Sequence, residues 1–74
     1  MIDEYELVAL TKPLPEFKLV AGDVGTVVLV HTKTKGYTVE FMTLNGDSAA
    51  VVSVDEDFVR RVGKEEMTHA RKVA

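Results

Sequence analysis

Residues 21 to 30, Ala-Gly-Asp-Val-Gly-Thr-Val-Val-Leu-Val, constrain this chain most. Gly22-Asp23 is turn chemistry, because glycine tolerates positive φ and an aspartate side chain bonds its own backbone. Gly25 opens the run that follows. A missing side chain there permits a bulge or the close approach of another segment. Thr26 to Val30 is β-branched at four of five positions, which suits a packed, pleated surface. A turn feeding straight into such a run predicts a strand that is buried for most of its length.

With 74 residues the chain is expected to form one domain. A domain of this size buries only roughly 60% of its unfolded surface, so its core has little to spare. The 46% hydrophobic content still argues for a folded chain. There is no cysteine, hence no disulfide and no thiolate chemistry, and two histidines alone make a poor zinc site. The apolar runs fall far short of the ~20 residues needed to span a bilayer. The acidic start, Asp3-Glu4-Tyr5-Glu6, is wrong for a signal peptide. A cytoplasmic protein without cofactors is the expectation. The net charge of -3 works against phosphate-backbone binding, which needs a positive field.

Along the chain, Tyr5 to Leu10 reads as a first strand, apolar on both faces, so periodicity does not choose its core face. Pro13 and Pro15 exclude regular ladder pairing after it. Thr11 to Asp23 is therefore a long loop, with Phe17 and Leu19 expected against the core, and such loops often carry binding contacts. The second strand ends in the basic turn His31 to Gly36. Tyr37 to Met42 then alternates, with Tyr37, Val39 and Phe41 on one face. Asn45-Gly46 is a strong hairpin signal before a strand at Ala49 to Val54. Asp55-Glu56-Asp57 predicts a capped 3₁₀ turn, and Phe58 to Val62 a short last strand. The expected core is Val27, Leu29, Val39, Phe41, Val51 and Phe58, with Leu7 or Val8. Lys64 to Ala74 holds helix formers, acid first and base last. It is expected to be a short helix docked through Met67 and Ala70, or a flexible tail. These readings together predict an all-β fold, a small five-stranded barrel over residues 1–63 with a tail at 64–74.

The order of pieces Leu14-Pro15, Ala21 to Val28, Tyr37 to Phe41 and Asp57-Phe58-Val59-Arg60 resembles a family of small bacterial proteins, a domain of unknown function with an SH3-like barrel. The resemblance covers residues 1 to 62. Asp57 to Arg60 carries one residue more than the family's usual Asp-Leu-Arg-like close, and the tail lies beyond the family's end. Gly22-Asp23-Val24-Gly25-Thr26-Val27 is more distantly similar to ribosomal KOW motifs and to the small stromal barrel subunit of photosystem I. These resemblances imply a barrel and leave the function open.

Several constellations were weighed for chemistry. Gly22-x-x-Gly25 precedes a strand, whereas a phosphate loop needs a helix, so barrel geometry accounts for it. His31 and His69 have no carboxylate at a familiar spacing and read as surface residues. Asp55-Glu56-Asp57 lacks the glycine and terminal glutamate of a calcium loop. Ser48 and Ser53 have no base partner in the sequence pattern. No acid, base and nucleophile converge, so the expectation is a non-catalytic protein-interaction module, of immunity or antitoxin type. Its partner contacts would be Glu16, Phe17, Asp55, Glu56 and Asp57, acidic groups complementing a basic target. The alternative is KOW-like RNA binding, with Lys33, Lys35, Arg60 and Arg61 as a basic patch and Tyr37 stacking on a base. A monomer or weak homo-oligomer is expected, with no membrane partner.

Overall fold

The computed structural model describes residues 2–72. Met1, at the start of the expected barrel, and Val73 and Ala74, at the end of the expected tail, lie outside the described residues. The strands are β1 (Leu7–Leu10), β2 (Val24–His31), β3 (Gly36–Met42), β4 (Ser48–Asp55) and β5 (Val59–Arg61). They form one antiparallel sheet in the order β4-β3-β2-β1-β5. No ladder joins β4 to β5, so the sheet is open where a closed barrel was expected. Two 3₁₀ turns interrupt the strands, Pro15–Phe17 in the β1–β2 loop and Glu56–Phe58 between β4 and β5.

Each turn follows from its residues. Gly22 (φ 95°) and Gly46 (φ 92°) take the left-handed conformation that their turns require. Around Gly46, the Thr43 N–H donates to the Asp47 carbonyl at 2.9 Å and closes the hairpin. Pro15 starts the first 3₁₀ turn, where its missing N–H costs nothing. The acidic turn forms at Glu56–Phe58, but Asp55 makes no side-chain cap; the Glu56 N–H instead donates to the Lys35 carbonyl at 3.0 Å. Phe58 therefore belongs to the turn, and the last strand starts one residue later.

The core is formed by Val8, Leu10, Leu14, Leu19, Val27, Tyr37, Val39, Phe41, Val52 and Val59, with Phe58 partly buried against it. The β3 alternation holds as expected. Val8 rather than Leu7 faces inward, since Leu7 is half exposed. Two expected core residues are corrected. Leu29 is 49% exposed, because a register shift between Val27 and Leu29 inserts an extra residue and turns Leu29 to the outer face. Val51 is 56% exposed, because it pairs with the outward-facing Glu40. Residues 49 to 54 are apolar or small on both faces, so no pattern there could choose the parity.

Gly25 packs tightly. A Cβ at this position would stand 2.6 Å from Val39 Cγ1 and 2.9 Å from the Glu40 carbonyl oxygen. Close approach is therefore its role, and the bulge falls two to four residues further on. The first strand also starts later than expected. Tyr5 has φ 69° and sits in a turn, where its N–H reaches the Val27 carbonyl at 2.6 Å.

Residues 64–72 contain no helix, contrary to the first of the two expectations for the tail. Met67 is 92% exposed, so no apolar face docks a helix there. Polar contacts hold the segment instead. The Glu66 carboxylate accepts the Gly63 N–H at 2.5 Å and pairs with Arg60 at 2.7 Å, and Arg71 reaches Asp23.

Candidate functional site

A groove of about 350 Å³ opens at the end of the sheet near the second 3₁₀ turn. Three parts of the chain build it. Leu14, Glu16 and Phe17 come from the β1–β2 loop; Thr34 from the β2–β3 turn, with His31 and Gly36 at the strand ends that flank it; Val52 to Asp55 and Phe58 from β4 and the turn after it. The buried isolated bridge Leu14↔Leu19 fixes the loop. The following Pro15–Phe17 turn then leaves Phe17 42% exposed at the groove rather than packed in the core, as had been expected. Leu19 does pack as expected, at 5% exposure.

The groove therefore brings together Glu16, Phe17 and Asp55, three of the expected partner contacts from distant positions in the chain. Glu56 and Asp57 continue from Asp55 into the second 3₁₀ turn, both exposed. Phe58 carries the Lys12 ammonium 4.9 Å from its ring centre, within cation–π range. Carboxylates and aromatic surface thus lie side by side. A cationic side chain with an apolar neighbour is the chemistry that would complement them.

One polar chain was not anticipated. His31 Nε2 lies 2.6 Å from Thr38 Oγ1, which lies 2.9 Å from Ser53 Oγ. Three strands supply these residues, so only the ladder register could have announced the contact. Leu14, Val52, Ser53, Val54 and Phe58 were likewise absent from the expected site. The one signal for them is the length of the proline-bearing loop that must fold over something.

The basic residues are distributed differently. Lys33 and Lys35 are exposed in the β2–β3 turn. Arg60 and Arg61 lie on β5, at the opposite edge of the sheet from β4. Arg60 pairs with Glu66, and Arg61 with Glu6 at 3.2 Å. Tyr37 is 6% exposed, its ring in the core and its hydroxyl 3.5 Å from the Ile2 nitrogen, so the ring is not presented for stacking on a base. Among the described residues no cluster of three or more His, Cys, Asp or Glu is placed to hold a metal ion.

Partners also set the carboxylate acidities. The Arg71 guanidinium, with the Val20 N–H adding to it, holds the Asp23 carboxyl below its ordinary range against the opposing effect of burial. Glu66 is lowered by Arg60 and then by the Gly63 N–H. Glu6 is lowered by the Asp3 N–H and, beyond it, by Arg61.

An open sheet of five antiparallel strands with a groove at one end defines a small all-β domain. The chain belongs to the family named Domain of unknown function (DUF4926), whose pattern matches residues 4–61. The match ends at the last residue of β5, close to the expected limit of 62. No curated protein and no solved structure matches the chain. No helix among the described residues is long and apolar enough to cross a membrane.

Proposed function

We propose that this protein is a non-catalytic protein-interaction module with an SH3-like barrel architecture. The strand order supports the architecture: four consecutive antiparallel strands, then a 3₁₀ turn that returns the fifth beside the first. The module holds a segment of a basic partner protein in the groove between the β1–β2 loop and β4, as an immunity- or antitoxin-type protein would. The observation that carries this reading is the convergence of Glu16, Phe17 and Asp55 on one groove. Acidic groups at the rim would speed encounter with a basic target and reject acidic ones. The exposed phenyl ring would give the contact its apolar anchor. A chain without cysteine suits a reducing compartment, and the proposal places the protein in the cytoplasm.

The test is capture of a stoichiometric partner from the native host by the full chain, repeated with a Phe17→Ala, Asp55→Asn double variant. A basic partner retained by the native chain and lost by the variant is expected. Absence of any stoichiometric partner overturns the reading. Salt-sensitive RNA binding that depends on Lys33 and Lys35 would favour the nucleic-acid reading in its place.

A further inference from the structure

The two edges of the sheet are unlike. β5 has three residues, of which Arg60 and Arg61 are charged. Short, charged edges are how folded proteins discourage unwanted strand pairing. β4 has eight residues and no charge from Ser48 to Val54, so its edge carries no such protection.

The ladder shows which β4 groups are free. In an antiparallel pair, hydrogen-bonded and non-hydrogen-bonded residue pairs alternate. The Glu56 N–H donates to Lys35, so the bonded pairs that continue from it are Tyr37↔Val54, Val39↔Val52 and Phe41↔Ala50. The short contact between the Thr38 and Ser53 hydroxyls fits the intervening, closer pair. The N–H and C=O groups of Val51, Ser53 and Asp55 therefore point away from β3; a register shift between Phe41 and Met42 ends the alternation at Ala49.

We propose that β4 pairs antiparallel with β4 of a second copy of this chain, joining two sheets across a two-fold axis. Side chains directly opposite must share a face, which allows the axis to pass through Val51 or Val52 but not between them. An axis at Val51 sets Asp47 opposite Asp55, acid against acid. An axis at Val52 sets Val51 opposite Ser53 and Asp55 beside Ala49; Asp47 then falls opposite Asp57, which the Glu56–Phe58 3₁₀ turn takes out of the extended strand. The second register pairs the outward backbone groups of Val51 with those of Ser53 in the other copy, and it brings the exposed Val51 side chains of both copies near the axis. Charge thus selects the register, and the uncharged centre of the strand makes it self-complementary.

Val52 to Asp55 also line the groove, so a second copy on β4 and a partner in the groove would compete. The test below uses the chain alone, so its failure leaves the groove reading untouched.

Sedimentation equilibrium from low-micromolar to millimolar chain should show a reversible monomer–dimer equilibrium. Val51→Pro removes an outward N–H, a change that edge strands tolerate, and should weaken the dimer at least tenfold. Val51→Thr keeps the N–H and the β-branch and should leave it intact. Amide exchange of the native protein gives a second readout that needs no variant. Amides of Val51 and Ser53 should exchange fast in dilute protein and become protected as concentration rises, while those of Ala50, Val52 and Val54 stay protected throughout. A monomer at every concentration overturns the proposal. So does a dimer in which the outward amides remain unprotected, or one that a folded Val51→Pro protein forms as well as the native chain does.

Discussion

The Arg71 guanidinium grips the Asp23 carboxylate through two parallel hydrogen bonds, Nε to Oδ1 at 2.7 Å and Nη2 to Oδ2 at 2.6 Å. The same guanidinium donates to the Lys18 carbonyl at 3.0 Å, and the Asp23 carboxylate also accepts the Val20 N–H at 2.9 Å. A residue beyond the family match is thereby fastened to the turn that launches β2.

This pair makes stability depend on acid. Asp23 is lowered in the folded protein below its ordinary carboxyl value, so over that range it binds fewer protons folded than unfolded. Its contribution is complete above the ordinary carboxylate range and disappears as pH falls through the folded value. Glu6 and Glu66 act in the same direction. Thermal midpoints of native and Arg71→Ala protein should therefore converge as pH is lowered from neutrality through and below the ordinary carboxylate range. Parallel curves would mean that the Arg71 contact is not formed in solution.

We propose that the segment from Lys64 onward is separable from the sheet. A chain ending at Gly63 should fold cooperatively, with a denaturant midpoint only slightly below that of the full chain, because residues 64 to 72 are all exposed and add nothing to the core. The urea melt decides: an unfolded truncation would make the tail an integral part of the domain.

Gly25→Val should destabilise strongly. Its side chain would have to displace Val39 and the Glu40 carbonyl from a packed ladder, and overpacking of this kind costs about 1–3 kcal/mol or more. A midpoint within a degree or two of the native protein would show that the sheet can open there without penalty.

Phe41→Ala and Val51→Ala should separate the two faces of the sheet. Phe41 is 3% exposed, and its truncation should cost about 3–5 kcal/mol, comparable to the whole stability of a small domain. Val51 is half exposed, and its truncation should stay within about 0.5 kcal/mol. Urea melts of the two variants check the assignment, and similar losses for both would contradict it.

Local chemistry determined a good deal by itself. Gly22 and Gly46 placed their turns because positive φ is nearly free only for glycine. Tyr37, Val39 and Phe41 declared their face because polar Thr38 and Glu40 alternate with them. The order of elements, the hairpins and the family likeness were legible for the same reason: each rests on neighbours in sequence. What the sequence alone could not decide rests on contacts between distant segments. Leu29 turned outward because of a bulge, and a bulge leaves no mark in a run of uniform β-branched residues. Val51 faced out because strand pairing with Glu40, not composition, set the parity of β4. Tyr37 went into the core although its residue type suits a binding surface. The groove exists only because the β1–β2 loop, the β2–β3 turn and β4 meet in space, so Glu16 and Asp55 became neighbours through tertiary packing. The tail has helix-forming residues but makes a turn and then irregular chain, because propensity over so few residues does not replace an apolar face to dock against.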